Sequence, residues 1–274
     1  MKKIFYSILI FLLILLNFST VCADDVDNEV DFEDTIEVTA SNVSELPKTN
    51  SRRYIVYDRI SKSMIIGKNE DVKSAMASTT KIMTTIVILE KADLNEKVTV
   101  SAKAGGTGGS RLGLKRGDKA SVRDLLYGLM LRSGNDAAVA LAEHVGGSVK
   151  GFAELMNEKA IELGLTNTHF VTPHGLDDAN HYTTALELAK LTDYAMDNET
   201  FAKIVGTKST TIYINNQSRQ INNTNELLGV LNGVVGVKTG FTNNAGRCLV
   251  TETKRNNMDI ITIVLGADTK KDRT

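Results

Sequence analysis

Apolar and polar residues alternate near both ends of the chain, whereas in its middle the apolar residues recur every three or four positions. Arg53 to Asp58 and Ser63 to Lys68 alternate around a polar turn and read as a hairpin. A helix is expected from about Ala77 to Glu90, with Ile82, Met83, Ile86, Val87 and Leu89 at helical spacing. Ser121 to Leu131, Asp136 to Val145, Gly151 to Leu163 and Thr184 to Met196 repeat that spacing, and Gly146-Gly147 and Gly164 sit at helix stops. Strand texture returns in Val234 to Thr239, Arg247 to Thr253 and Asp259 to Gly266. The expected fold is α/β in the α+β sense. Both chain ends build one antiparallel sheet, helices cover its faces, and a helical lobe at about residues 100–205 is inserted so that a cleft lies at the junction.

Residues 1–23 read as a signal peptide. Lys2 and Lys3 precede the apolar run Ile4 to Phe18, and Val21-Cys22-Ala23 suits cleavage after Ala23. The run falls short of the roughly 20 apolar residues of a spanning helix, so an uncleaved anchor is the less favoured alternative. Residues 24–50 are acidic, lack periodicity and read as a flexible linker. The folded domain is then 51–274.

Composition narrows the function. A net charge of −1 gives no basis for nucleic acid as a partner. After cleavage Cys248 is the sole thiol, which excludes an internal disulfide, and its apolar setting marks a small core residue. His144, His169, His174 and His181 show no ligand spacing for zinc. The run Gly105-Gly-Thr-Gly-Gly109 misses the phosphate-loop spacing and is expected to be a surface loop.

Three short segments carry candidate chemistry. Ser78 and Lys81, three apart at a helix start, share one face, and a neutral amine could take the serine proton. Lysine titrates near ~10.4, so a second cation is needed to keep that amine neutral, and Lys238 could be it. The bland alternative is an N-cap serine followed by an exposed lysine. Ser133-Gly-Asn135 could relay a proton through Ser133 and hold a substrate amide through Asn135, or be an ordinary turn. Lys238-Thr239-Gly240 is expected to end an edge strand. Gly240 would let a peptide approach the backbone, and Lys238 with Thr239 would suit a carboxylate; the alternative is a solvated strand end.

The surroundings of these segments resemble the D-alanyl-D-alanine carboxypeptidases, low-molecular-mass penicillin-binding proteins of the β-lactamase-like serine acyltransferase superfamily. The resemblance spans about Arg53 to Gly266. It includes Met76-Ala-Ser-Thr-Thr-Lys-Ile-Met83, Leu125-Leu-Tyr-Gly-Leu129 with Ser133-Gly-Asn-Asp-Ala137, Asn167-Thr-His-Phe170, Pro173-His-Gly-Leu-Asp177, Asn223-Thr-Asn225 and Gly236-Val-Lys-Thr-Gly-Phe-Thr242. It implies acylation of Ser78 with Lys81 as base, a proton network completed by Ser133, Asn135 and Lys238, and Thr239 at the substrate's terminal carboxylate. The oxyanion hole would use the amides of Ser78 and Phe241, so Thr239, Gly240 and Phe241 form the substrate side. Some relatives place an arginine where this chain has Thr224, which shifts carboxylate binding toward Lys238 and Thr239.

Relatives also continue past the point where this sequence stops, with a last helix, often a β-rich domain, and a membrane-anchoring amphipathic helix. The expectation is a fragment or a domain without those parts. The implied activity is removal of the terminal D-alanine from peptidoglycan stem peptides, outside the cytoplasm, with β-lactams as covalent inhibitors and no cofactor. Association with a membrane surface is left open. DD-endopeptidase action uses the same residues. A β-lactamase would need a deacylating glutamate, and His169 to Asp177 holds none. A non-catalytic wall-binding module is the remaining alternative.

Overall fold

The computed structural model describes residues 49–274. The signal peptide and all but the last residues of the linker lie outside them. The first hairpin pairs β1 (Ser51–Asp58) with β2 (Ser63–Lys68), antiparallel. The closing strands are β7 (Val234–Thr242), β8 (Gly246–Arg255) and β9 (Met258–Ala267). Together they make one sheet in the order β2-β1-β9-β8-β7, so strands from the two ends of the domain meet where β1 pairs antiparallel with β9. Alternation dictates the buried face: Ile55 and Tyr57 on β1, and Ile261, Ile263 and Leu265 on β9, turn inward at every second position.

A 3-10 turn, Ala77–Thr80, leads into α1 (Lys81–Lys91). Ile82 to Ile88 are all buried, so α1 is surrounded rather than amphipathic, as suits a helix at the centre of the core. Around it lie α2 (Ala102–Gly105), α3 (Val122–Leu131), α4 (Asn135–Gly146), α5 (Val149–Glu162), α6 (Ala185–Met196) and α7 (Glu199–Val205). Ser121, Ser148, Thr184 and Asn198 cap α3, α5, α6 and α7 by accepting backbone amides of the first turn. Among the described residues, one buried cluster joins both chain ends to α1 and the helical lobe.

α1, the helices α3 to α6 and the large sheet follow the sequence reading to within a few residues at each boundary, whereas α2 and α7 were not anticipated and the region between the two parts of that sheet is not purely helical. Four strands, β3 (Lys97–Thr99), β4 (Lys119–Ser121), β5 (Ser209–Ile214) and β6 (Gln217–Asn222), form a second antiparallel sheet in chain order. Two of them are three residues long, too short for alternation to register. The β5–β6 hairpin did carry a signal: its two turn residues, Asn215 and Asn216, have φ of 53° and 63°, the conformation a two-residue hairpin turn requires. A short last helix, α8 (Lys270–Arg273), is set by a capping box between Thr269 and Asp272.

Candidate active site

The 3-10 turn before α1 brings Ser78 and Lys81 together. Lys81 Nζ is 2.8 Å from Ser78 Oγ, 3.3 Å from Ser133 Oγ, 2.7 Å from Asn135 Oδ1 and 3.1 Å from the His174 carbonyl. Two of these four partners, the Asn135 and His174 oxygens, can only accept. A neutral amine therefore points its two protons at them and turns its lone pair toward the hydroxyls. Lys81 has no exposed surface. Burial first, and the Lys238 charge second, hold its amine well below the ordinary lysine value, with Asp136 pulling the other way.

Asn135 is oriented from behind. Its Nδ2 donates to the Gly108 carbonyl at 2.8 Å, which leaves Oδ1 for Lys81. A Cβ at Gly109, where φ is +78°, would come within 2.6 Å of Asn135 Nδ2. The glycine run expected to be a surface loop thus ends against the site, because only glycine lets its backbone pack onto Asn135. Asp136, fully buried, accepts the amides of Leu112, Gly113 and Leu114 at 2.8 to 2.9 Å and ties that loop to the start of α4. Ser133 sits in the turn between α3 and α4 with φ of +57°, unusual for a residue other than glycine.

β7 is an edge strand and forms the opposite wall. A Cβ at Gly240 would lie 3.0 Å from the Ser78 amide nitrogen and 3.3 Å from that of Thr79, so the strand passes the nucleophile at near-contact distance. Phe241 is 41% exposed beside it, and the Arg247 guanidinium stacks 5.1 Å from its ring centroid. Thr239 Oγ1 is 2.8 Å from Thr224 Oγ1, so Thr224 touches the residue expected at the carboxylate. Lys238 is 1% exposed and donates to the Thr239 carbonyl at 2.8 Å.

Lys238, which the sequence offered as the second cation, is itself perturbed. Burial, and then the Arg273 guanidinium, lower it to about 7, so near neutrality it carries its charge only part of the time. Burial is accordingly the larger cause of the lowered Lys81 value. Arg273 on α8 escaped the sequence reading; segment 171–175 overlaps the resembling stretch Pro173 to Asp177, but its place behind Lys81 was not anticipated. Arg273 comes close only through a turn after the last strand. The segment meets the amine through the His174 carbonyl, an atom that every residue type carries.

Ser78, Ser133 and Asn135 meet at the Lys81 amine, and Lys238, Thr239, Gly240 and Phe241 follow one another along β7, which passes Ser78 at Gly240. Cys248, fully buried on β8, lies outside the chemistry, and burial pushes its thiol up to about 11. Among the described residues no group of His, Cys, Asp and Glu is arranged to hold a metal ion.

Comparison with known proteins bears on what such a site does. Residues 39–269 match the family model described as D-alanyl-D-alanine carboxypeptidase. The chain is 38% identical over 225 residues to D-alanyl-D-alanine carboxypeptidase DacF of Bacillus subtilis, covering 80% of this chain and 58% of the relative. It is 40% identical over 218 residues to the D-alanyl-D-alanine carboxypeptidase of Streptomyces sp. K15, covering 73% and 75%. The crystal structure of the Streptomyces K15 DD-transpeptidase is similar with a TM-score of 0.77 at 35% identity, covering 83% of this chain and 94% of that one. The chain spans about three fifths of the length of several of the curated relatives it matches, 58%, 61% and 60% for three of them.

Proposed function

The chain belongs to the D-alanyl-D-alanine carboxypeptidase family, and we propose that it is a serine peptidase that removes the terminal D-alanine from peptidoglycan stem peptides. The observation that carries this reading is the buried amine of Lys81, 2.8 Å from Ser78 Oγ.

In this mechanism the Lys81 lone pair takes the Ser78 proton as Oγ attacks the D-Ala-D-Ala carbonyl. The peptide lies antiparallel along the open edge of β7, with its terminal carboxylate at Thr239 and Lys238. Negative charge on the carbonyl oxygen is met by the amides of Ser78 and Phe241, and the close pass of Gly240 beside the Ser78 amide supports that pairing. Ser133 Oγ, 3.3 Å from Lys81 Nζ, passes the proton to the departing D-alanine nitrogen. Asn135 holds the acyl-side amide and the Lys81 amine together. Water then cleaves the ester on Ser78. The steps need no cofactor, since base, nucleophile and oxyanion donors all come from this chain.

β-Lactams enter as covalent inhibitors, because their strained amide presents the same carbonyl to Ser78. No glutamate lies in His169 to Asp177, and Asp177 is engaged by Thr242 Oγ1 at 2.6 Å and the Asn244 amide at 3.3 Å. This favours a long-lived penicilloyl adduct over β-lactamase turnover. The substrate places the enzyme outside the cytoplasm, at the cell wall. No helix among the described residues is long and apolar enough to cross a membrane.

The test is release of D-alanine from a short acyl-D-Ala-D-Ala peptide. Wild-type protein releases it and Ser78→Ala does not. Folded wild-type protein that releases none, yet binds the peptide, would favour a wall-binding module instead.

A further inference from the structure

Segment 169–184 carries a buried ring that the mechanism above leaves unused. His181 is 2% exposed. Its Nδ1 accepts the Val171 amide at 3.0 Å and the Thr172 amide at 3.4 Å, so that nitrogen bears a lone pair and no proton. Its Nε2 lies 2.8 Å from Thr80 Oγ1, whose own proton goes to the Ala77 carbonyl at 2.8 Å. With that proton committed, Thr80 accepts from the ring. The neutral tautomer protonated at Nε2 therefore satisfies every partner.

Each end of the ring grips a different segment on the Lys81 side of the site. Through Thr80 it fixes the Ala77 carbonyl, one residue before Ser78, where the backbone has φ of +47°. Through Val171 and Thr172 it fixes the segment behind Lys81. There the Pro173 carbonyl takes Thr84 Oγ1 at 2.7 Å and the His174 carbonyl faces Lys81 Nζ at 3.1 Å. The two segments are in direct contact at Gly175 (φ +85°), where a Cβ would stand 1.9 Å from the Ala77 oxygen. Because 170–177 lies outside any helix or strand, no backbone ladder sets this spacing.

We propose that His181 is a positioning residue for acylation: its neutral ring sets the distance between the Ser78 turn and the His174 carbonyl, and so aligns Ser78 Oγ with Lys81 Nζ. The proposal rests on the reading of Ser78 as nucleophile. Burial, opposed by Asp178 and Asp177 and aided by His169, lowers the ring to about 4. A proton on Nδ1 would face the Val171 and Thr172 N–H groups and break the bridge.

The experiment compares acylation by labelled penicillin in wild type, His181→Leu, His181→Gln and Thr80→Val, alongside thermal unfolding. Glutamine can offer Oε1 to Val171 and an N–H to Thr80, whereas leucine offers neither. His181→Leu should lower the acylation rate at saturating penicillin roughly 10–100-fold with smaller change in the affinity of the initial complex. His181→Gln should recover most of the rate, and Thr80→Val should fall between. A folded His181→Leu that acylates at the wild-type rate, or a His181→Gln no faster than His181→Leu, overturns the proposal. If His181→Leu does not fold, Thr80→Val at the wild-type rate overturns it. A wild-type protein that takes no label sinks the nucleophile reading itself; labelled wild type with unchanged variants sinks only the role of His181.

Discussion

Lys81 Nζ stands 2.8 Å from Ser78 Oγ inside a shell that leaves the lysine no exposed surface. A lysine without a carboxylate partner in such a shell is costly when charged, so the fold itself selects the amine form that can act as a base. Replacing Lys81 by Met keeps the volume and removes the base. Acylation by penicillin should fall by about 10²–10⁴-fold with little change in thermal stability, and Ser78→Ala should take no label at all. Equal labelling of Ser78→Ala and wild type would remove Ser78 from the mechanism.

Lys238 acts on Lys81 through its charge. Removing that charge raises the Lys81 value, so more of the amine is protonated at a given pH. In Lys238→Met the acidic limb of the acylation profile should move to higher pH, whereas Lys238→Arg should leave it near its wild-type position. Coincident limbs in Lys238→Met and wild type would show that burial alone sets the base.

Gly240 is required by proximity rather than by backbone conformation. A Cβ there meets the Ser78 and Thr79 amide nitrogens at 3.0 and 3.3 Å, where the oxyanion would be held. Gly240→Ala should therefore slow acylation by roughly tenfold or more, while far-ultraviolet circular dichroism stays unchanged. An unaltered rate would place the oxyanion donors elsewhere.

Thr224 and Thr239 share a hydrogen bond of 2.8 Å. Thr224→Val leaves Thr239 without that partner and should raise KM for the D-Ala-D-Ala peptide severalfold, with kcat much less affected. A selective loss in kcat would instead assign the pair to the chemical step.

Far from the cleft, Arg59 joins Asp193, Asp197, Glu252 and Asp259 at 2.6 to 3.1 Å and ties the first hairpin to α6 and the β8–β9 turn. Glu252 has no exposed surface, and its Oε2 finds no partner. Burial, and then the neighbouring Asp259, push its carboxyl up to about 7. A carboxyl raised in the folded state holds its proton longer than in the unfolded chain. Its contribution is therefore full below the unfolded value near 4.5 and is lost as pH rises to about 7. Glu252→Gln should flatten the fall in stability across that window, measured by denaturant unfolding. An unchanged slope would assign the pH dependence to other groups.

The order and type of the large elements were legible because their residues follow simple periods. Ile55 and Tyr57, or Ile261, Ile263 and Leu265, alternate because one face of a strand is dry, and Ile82 to Ile88 form a run because α1 is buried all round. The residues proposed to carry the chemistry were legible too, since Ser78, Lys81, Ser133, Asn135, Lys238, Thr239, Gly240 and Phe241 fall in three short segments. Tertiary structure decided what no local period encodes. It set the dry shell that lowers the Lys81 amine, the carbonyls of Gly108 and His174 that orient Asn135 and the amine, and the lowering of Lys238 by burial and then Arg273. These effects depend on burial and on backbone atoms brought together from distant parts of the chain. Such terms exist only after folding, because desolvation and distance, not residue identity, fix their size.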